Sequence, residues 1–306
     1  MLFYYTDADT ASSTPTTHHA SDQLSSSNQR YDTRSVKSTS SEEGQSTLEC
    51  LAEMLNSNEY KRRVKNFHDS EPIKVNEEGS FDTVCVLQRE YAVVPNHSGV
   101  ETLATGSCKA TTCIIMLLYN PVSRVRAAAH VDSSECTFAT MNSIIERVAG
   151  KDNEVQVSLI GAYDGNYVVD TLLESASAVS TRELQQCESQ SIELSVHVID
   201  CLRNTPCLCT VTLPAILTLN TTQERDTSTA VPRALDGAVD SIGNIFKPDF
   251  VDAGPVPQIR GLRFLSKWTD LEETAKYEER LQKIVYVIKR FPLDKLPQSF
   301  VDVFKE

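Results

Sequence analysis

An apolar run that ends in a tight turn constrains the fold more than any other feature of this sequence. Residues 113–121 read CIIMLLYNP, and the short connection NPVSR leads into residues 124–132, which read RVRAAAHVD. Their length and branched apolar residues predict two strands. If these strands pair as an antiparallel hairpin, the start of the first lies near the end of the second. Cys113 and His130 occupy those two positions.

Segments on both sides of the hairpin predict a mixed α+β domain. Helices are predicted at residues 47–67, 138–150, 166–179 and 269–290, because apolar residues recur there at helical spacing. Further strands are predicted at 81–95, 100–105, 154–164, 191–202 and 209–220, whereas residues 225–257 read as loops. Helices and mostly antiparallel strands in this proportion predict a layered α/β sandwich of the α+β class.

The first part of the chain differs in composition from the rest. Residues 10–47 are dominated by Ser, Thr, Asp and Gln, and such a stretch cannot bury enough apolar surface to offset its ordering entropy. We predict a disordered, Ser/Thr-rich tail at residues 1–47 and a single domain at residues 48–306. With 40% hydrophobic residues, the chain can fill a core.

Charge and cysteine content limit the partners and the compartment. A formal net charge of −13 disfavours binding to nucleic acid or to an anionic membrane surface, since both need clustered Lys and Arg. No stretch has the length of a signal-peptide core or a membrane span. Nine cysteines, an odd number without the spacing of a disulfide scaffold, favour reduced thiols. We expect a soluble monomer of the cytoplasm or nucleus.

The residues that precede the hairpin suggest thiol chemistry. A cysteine that attacks an amide needs a base for its proton and donors for the oxyanion that forms. Residues 106–112 read GSCKATT, a predicted loop of small residues whose backbone N–H groups are accessible, and His130 is the histidine nearest in the hairpin. On the residues alone, a cysteine at the start of a strand is most often a small buried hydrophobe, and Cys108 in the same loop is a second possible nucleophile.

The segment from Val86 to Ile144 resembles the core of the eukaryotic protein N-terminal asparagine amidohydrolase family. It contains QRE, AV, GS, ATTC, HVD and MNSI in that order, and VSLIGAYD at 157–164 resembles the strand that follows in the family. A fainter similarity is to the bacterial chemotaxis receptor glutamine deamidases. The resemblance implies the fold of these thiol amidases and a single catalytic domain after the tail. The tail and residues 225–261 have no clear counterpart in the family.

The resemblance also assigns the catalytic residues. It implies that Cys113, the cysteine of ATTC, is the nucleophile and that His130 is the base; their spacing of seventeen residues is also that of the bacterial deamidases. Cys108, twenty-two residues before His130, is then incidental. Ser107 corresponds to the threonine that orients the histidine in the bacterial enzymes. A loop-capping serine is the alternative.

Substrate recognition is expected to involve a carboxylate. A protein N-terminus has a pKa of about 7.7 to 8.0 and is mostly cationic at pH 7. Asp132, two residues after His130, and Glu90 are the candidates, and Thr112 is expected to contact the substrate as well. The alternatives are a turn-capping role for Asp132 and a salt bridge between Glu90 and Arg89.

The reaction implied by the resemblance is hydrolysis of the side-chain carboxamide of an N-terminal Asn to Asp and ammonia, through a cysteine thioester. Proteins and peptides that begin with Asn are the expected partners, and the product would enter ubiquitin-dependent turnover. Two alternatives remain: a thiol deamidase that acts on Gln or on internal amides, and a catalytically inert binding relative. No cofactor is expected, and no zinc, because Cys201, Cys207, Cys209 and His197 lack close ligand pairs.

Overall fold

The computed structural model describes residues 47–76, 82–96, 103–163, 181–218, 221–223, 230–232, 234–250, 270–278, 280 and 283–286. Within these ranges the helices are α1 (Thr47–Asn56), α2 (Asn58–Asp69), α3 (Phe138–Ala149) and α4 (Thr181–Asn204). The strands are β1 (Ile73–Val75), β2 (Asp82–Val86), β3 (Glu90–Val94), β4 (Leu103–Ala110), β5 (Ile114–Tyr119), β6 (Arg126–Val131), β7 (Glu154–Tyr163), β8 (Leu208–Thr218), β9 (Thr221–Gln223), β10 (Ala230–Pro232), β11 (Leu235–Val239), β12 (Ile245–Phe246), β13 (Pro248–Phe250), β14 (Glu272–Glu278) and β15 (Lys283–Tyr286).

A seven-stranded sheet in the order β15-β14-β3-β6-β5-β7-β8 forms the centre of the molecule. Strands β5 and β6 pair antiparallel in it, with Ile115 opposite His130 and Tyr119 opposite Arg126. The predicted hairpin is therefore confirmed. A smaller sheet in the order β12-β11-β4-β2 is the second main layer.

Strand β5 shows how the layers are stacked, because all six of its residues are buried. Successive side chains of a strand point to opposite faces. Ile114, Met116 and Leu118 belong to a helix-side core, whose members from the helices include Met141, Ile144, Ile145, Val148, Leu194, Val198, Ile199 and Leu202. The alternate residues belong to an inter-sheet core, formed by Phe67, Val84, Val86, Ala92, Val94, Ala110, Ile115, Leu117, Tyr119, Ala128, Ile160, Ala215, Leu235, Val239 and Ala275.

The molecule thus has three layers: helices, the seven-stranded sheet, and the four-stranded sheet. Seven of the eleven strand pairings within the described ranges are antiparallel. The predicted α+β class with mostly antiparallel strands is confirmed. No helix in the part of the chain that the structure describes is long and apolar enough to span a bilayer.

Two predicted elements have the wrong type. The predicted strand at 191–202 lies within helix α4, where Leu194, Val198 and Leu202 recur every four residues on one buried face. The predicted helix at 269–290 is wrong as well, because residues 272–278 and 283–286 form the β14–β15 hairpin. Strand β14 also pairs parallel with β3, so sheet pairing overrides the helical pattern there.

Other boundaries differ from the prediction. The predicted strand at 81–95 is divided into β2 and β3, which belong to different sheets. The predicted helix at 47–67 is divided at Ser57, whose side chain caps α2. Residues 225–257 are not only loops, since β10 to β13 lie there. The predicted tail, apart from Thr47, and the predicted helix at 166–179 lie outside the described residues.

Candidate active site

The side chain of His130 lies between the two sheets, near the carboxyl end of β6. Ala128, two residues earlier on the same face, belongs to the inter-sheet core, and His130 itself is 3% exposed. Its Nδ1 atom is 2.8 Å from the Ser107 hydroxyl oxygen on β4. The structure therefore brings together the predicted base and the residue predicted to orient it.

The hydrogen bonds of Ser107 determine which nitrogen of His130 carries the proton. The Ser107 hydroxyl donates to the carbonyl oxygen of Val86 at 2.6 Å. A hydroxyl has one proton to donate, so towards His130 the Ser107 oxygen acts as an acceptor and Nδ1 is protonated. In neutral imidazole Nε2 then has the lone pair. This Nε2 atom is buried and has no hydrogen-bond partner among the described residues, as suits a base that awaits a proton.

The segment that carries Ser107 is a strand, which corrects the prediction of a loop at 106–112. Residues 103–110 form β4, which pairs parallel with β2 and antiparallel with β11. Most of the predicted loop is thus held in a sheet, and its backbone groups serve strand pairing rather than an oxyanion. The bend at residues 111–113 is the part that remains available for this role.

Cys113 lies in this bend, immediately before β5. Its side chain is partly buried and packs against the inter-sheet core. Ile115, two residues later, is directly opposite His130. Cys113 itself precedes Ile114, the first paired residue of β5, which is opposite Val131, so the cysteine lies next to the end of β6 that carries His130. Thr112, predicted to contact the substrate, precedes Cys113 in the bend, and its carbonyl oxygen accepts a hydrogen bond from the Ser191 hydroxyl at 3.4 Å.

Gly161 on β7 fixes the backbone of the cysteine, and the sequence reasoning did not identify it. The carbonyl oxygen of Cys113 accepts a hydrogen bond from the Ala162 N–H at 2.8 Å. A Cβ atom on Gly161 would lie 2.3 Å from that oxygen, and Gly161 has a φ of +110°. Only glycine permits both this conformation and this approach. The glycine in the strand motif VSLIGAYD was the available signal.

Asp132 is bound asymmetrically, just after β6. Its Oδ2 atom accepts hydrogen bonds from Gln88 Nε2 and from Arg89 Nε, both at 2.7 Å. Its side chain is 3% exposed, and the Oδ1 atom has no hydrogen-bond partner within the described ranges. A buried carboxylate oxygen without a donor is suited to receive one from a bound molecule.

Glu90, the other predicted reader of the amino group, is fully buried at the first residue of β3. Its Oε2 atom accepts a hydrogen bond from the backbone N–H of Leu87 at 2.9 Å. Arg89, the partner of Glu90 in the alternative reading, forms an ion pair with Asp132. The Glu90 carboxylate thus closes the turn between β2 and β3.

Comparison with known families gives this arrangement its context. A model of the family described as protein N-terminal asparagine amidohydrolase matches residues 73–290. The chain belongs to this family. It is accordingly an amidohydrolase that acts on carbon–nitrogen bonds of amides.

No curated protein sequence matches this amidohydrolase. Among solved structures, the hypothetical protein YfiH of Bacillus licheniformis is 12% identical, with 50% of this chain and 69% of that chain covered and a TM-score of 0.23. YlmD from Geobacillus stearothermophilus is 13% identical, with 63% and 80% covered and a TM-score of 0.25. Both likenesses are too weak to indicate a shared function.

Burial holds the thiol of the amidohydrolase in its protonated form. It is the main cause that raises the pKa of Cys113 to about 12, and the Asp132 carboxylate acts in the same direction. The neighbouring Thr112 side chain and the positive charge of Arg89 lower this pKa. In the resting site the cysteine is therefore a neutral thiol, and both charges of the Arg89–Asp132 ion pair act on its pKa.

Burial also keeps the base neutral. It lowers the pKa of His130 to about 4, although the carboxylates of Asp132 and Glu90 oppose this shift. A neutral thiol beside a neutral imidazole can react when the proton moves to Nε2 as the carbon–sulfur bond forms.

The other cysteines are placed differently. Cys201 and Cys209 are buried in the helix-side core, and His197 Nε2 is 2.9 Å from the carbonyl oxygen of Cys136. No group of three or more potential metal ligands occurs in the ranges that the structure describes. Cys108 lies on β4, and its side chain is outside the description.

Proposed function

We propose that this amidohydrolase converts an N-terminal Asn of a protein or peptide to Asp, with Cys113 as the nucleophile and His130 as the general base. The observation that carries the proposal is the state of His130. Its imidazole is held by Ser107, its Nε2 atom is buried without a partner in the described structure, and it shares one sheet face with Cys113.

In the first step, Cys113 Sγ attacks the side-chain carbonyl carbon of the substrate Asn while His130 Nε2 takes the thiol proton. The carbonyl oxygen becomes an oxyanion. The backbone N–H groups of the bend at 111–113, which contains Cys113, are the proposed donors to this oxyanion. The imidazolium then gives its proton to the amide nitrogen. Ammonia leaves as the carbon–nitrogen bond breaks, and a thioester remains on Cys113.

In the second step, water attacks the thioester. His130 Nε2 removes a proton from the water, the carbon–sulfur bond breaks, and the proton returns to the sulfur. The product is an N-terminal Asp, and both side chains are restored to their starting protonation states. The protein's own residues supply each proton transfer.

Asp132 is the residue that reads the substrate's α-amino group in this proposal. In an N-terminal Asn, only two carbon atoms separate the amino nitrogen from the side-chain carbonyl carbon, so its reader must lie near the nucleophile. The Asp132 carboxylate is close enough to raise the pKa of Cys113, and Oδ1 has no donor within the described ranges. Glu90, whose carboxylate binds the Leu87 N–H, supports the turn.

The product suggests the biological role. An N-terminal Asp is an acidic terminus of the kind that arginylation and ubiquitin-dependent degradation act on, as the family resemblance implies. Deamidation of this type would commit a protein that begins with Asn to turnover in the cytoplasm or nucleus.

A peptide panel tests the activity. Peptides that begin with Asn, with Gln and with acetylated Asn are incubated with the wild type, and the mass gain of about one dalton and the ammonia from thiol-dependent hydrolysis are measured. We expect conversion of free N-terminal Asn alone. Activity on Gln or on acetylated Asn would instead indicate a broader deamidase, and a folded protein that converts none of the peptides would indicate an inert relative.

Two cysteine variants test the nucleophile in the same assay. Cys113→Ala is expected to abolish turnover, because no other thiol lies at the start of β5. Cys108→Ala is the matched control, since it removes a neighbouring thiol from the same stretch of chain, and it is expected to keep activity. Loss of activity in the Cys108 variant with retention in the Cys113 variant would reverse the assignment.

A further inference from the structure

The turn between β2 and β3 contacts His130, near the end of β6, and Asp132, just after that strand. The backbone N–H of Arg89 donates to the carbonyl oxygen of His130 at 3.0 Å. The side chains of Gln88 and Arg89 both donate to Asp132 Oδ2. This one turn therefore fixes the backbone of the base and the side chain of the carboxylate.

Arg89 has an uncommon backbone conformation. Its φ is 64°, in the left-handed region that non-glycine residues seldom occupy. The carbonyl oxygen of Arg89 accepts a hydrogen bond from the backbone N–H of Glu272 at 3.0 Å, so strand β14 supports the turn from its other side. Such conformations persist where surrounding contacts determine them. Here the contacts direct the guanidinium towards Asp132.

The contact with Asp132 uses one carboxylate oxygen only. Arginine commonly binds both oxygens of a carboxylate through two parallel hydrogen bonds. In this site Arg89 Nε and Gln88 Nε2 converge on Oδ2, while Oδ1 has no hydrogen-bond partner in the described structure. The Asp132 side chain is held in position, and one of its oxygens stays available to a second cation.

We propose that Arg89 is the charge-balancing and positioning residue of the site: it holds Asp132 through Oδ2, leaves Oδ1 for the α-ammonium group of the substrate, and offsets the carboxylate's repulsion of a thiolate on Cys113. This inference rests on the proposed function. It explains how a carboxylate that reads a cation can lie beside a nucleophile that becomes negative during the reaction.

Charge balance predicts opposite effects for the two partners of the pair. The Asp132 carboxylate raises the pKa of Cys113 and the Arg89 guanidinium lowers it. The Asp132 carboxylate also raises the pKa of His130, so Asp132→Asn lowers that pKa further and the imidazole stays neutral. Loss of Arg89 should therefore make the thiol less reactive, and loss of the Asp132 charge should make it more reactive. A purely structural role would not give opposite signs.

The rate of alkylation of Cys113 measures the reactivity of its thiol and requires no turnover of substrate. Wild type, Arg89→Met, Arg89→Lys and Asp132→Asn react with iodoacetamide at about pH 8.5, near the ordinary thiol pKa, and modified Cys113 is quantified by peptide mass spectrometry. We expect slower alkylation of Arg89→Met and faster alkylation of Asp132→Asn. The change is about threefold for each pKa unit, because a lower pKa also lowers the nucleophilicity of the thiolate. Arg89→Lys, which keeps the charge, should stay near the wild type.

The controls separate charge from packing. Equal slowing of Arg89→Met and Arg89→Lys, or shifts of Arg89→Met and Asp132→Asn in the same direction, would overturn the proposal. If Arg89→Met fails to fold, the double variant Arg89→Met/Asp132→Asn is used instead, because it removes both charges. It is expected to alkylate near the wild-type rate. Alkylation of the folded double variant much slower than that of the wild type would also overturn the proposal.

Steady-state kinetics connect the pair to the substrate. Asp132→Asn is expected to raise KM for a peptide with a free N-terminal Asn, whereas Arg89→Met should lower kcat by at least the factor seen in alkylation. An unchanged KM in Asp132→Asn would exclude it as the reader. Opposite alkylation shifts in a protein that hydrolyses no Asn peptide would contradict the proposed function while leaving the charge balance between Arg89 and Asp132 established.

Discussion

At the scale of single residues, one hydroxyl decides the chemistry of the site. Ser107 donates its only proton to Val86, so it accepts from His130 Nδ1 and directs the lone pair of the imidazole to Nε2. Without this hydroxyl either tautomer is available, and the ring is free to turn. Ser107 is a positioning residue in this account, because it acts through His130.

Ser107→Ala is predicted to lower kcat by roughly tenfold to a hundredfold and to leave KM nearly unchanged. The loss is smaller than the full contribution of a general base, because His130 itself is still present. Thr105→Ala is the matched control: Thr105 is also fully buried on β4, and its hydroxyl donates to the Val84 carbonyl oxygen at 3.3 Å. Both variants lose a buried hydroxyl on the same strand. A similar fall in kcat for both in peptide hydrolysis would assign Ser107 a structural role only.

The pKa of His130 predicts the acid side of the pH profile. The base must be neutral to accept a proton, and burial lowers its pKa to about 4. The free enzyme should therefore keep its kcat/KM well below pH 6.5, the ordinary histidine pKa. On the alkaline side, kcat/KM should fall above about pH 8, where the substrate's amino group loses the charge that Asp132 reads.

The measurement is kcat/KM for an Asn peptide across this range, with circular dichroism at each pH to follow folding. An acid limb at or above the ordinary histidine value, in protein that remains folded, would show that His130 is not the neutral base described above.

At the scale of elements, strand β7 acts on the nucleophile through its backbone. Gly161 lies opposite Ile114, the first residue of β5, and brings β7 close to the Cys113 carbonyl oxygen. The position of the cysteine thus depends on a neighbouring strand as well as on its own bend.

Gly161→Ala is predicted to reduce activity strongly, because the new methyl group would lie 2.3 Å from the Cys113 oxygen at a φ of +110°. Gly150→Ala is the matched control: it also has a positive φ, of +56°, but nothing lies within 4 Å of the added carbon. That control should lose about 1–3 kcal/mol of stability through backbone strain and keep its kcat. Both kcat values are measured, together with the thermal unfolding of each variant. Equal kcat values would show that Gly161 on β7 does not position Cys113 for catalysis.

Elements with a strong local signal were predicted from the sequence, and those that depend on distant partners were not. The β5–β6 hairpin follows from an apolar run and a short turn, and α3 from apolar spacing and Gly150. By contrast, β14 and β15 lie in a segment whose apolar residues also fit a helix. The pairing of β14 with β3, about 180 residues earlier, and of β15 with β14 decides their structure.

The same distinction applies to the site. The proximity of Cys113 and His130 was predictable, because it depends on one hairpin. The pair of Arg89 with Asp132 was not predicted, because it depends on the turn between β2 and β3, two strands of different sheets, reaching the end of β6. Gly161 was missed for a related reason: its role depends on the pairing of β7 with β5.

At the scale of the whole molecule, the two faces of the central sheet differ in what they pack against. One face packs against the helices and contains the larger apolar core. The other faces the smaller sheet, and its core meets the polar residues of the site where β5 begins and β6 ends. Burial is the main cause that raises the pKa of the Cys113 thiol and lowers the pKa of the His130 imidazole, so both groups are neutral.

The central claim is that Cys113 forms a thioester with the side chain of an N-terminal Asn, and an acid-quenched reaction tests it most directly. Wild-type protein is mixed with excess Asn peptide, quenched within the first turnover, and analysed by intact-protein and peptide mass spectrometry. The account predicts an adduct equal to the peptide minus ammonia, located on Cys113 and absent from Cys113→Ala. Turnover of the peptide by Cys113→Ala, or an adduct on another residue, would contradict it.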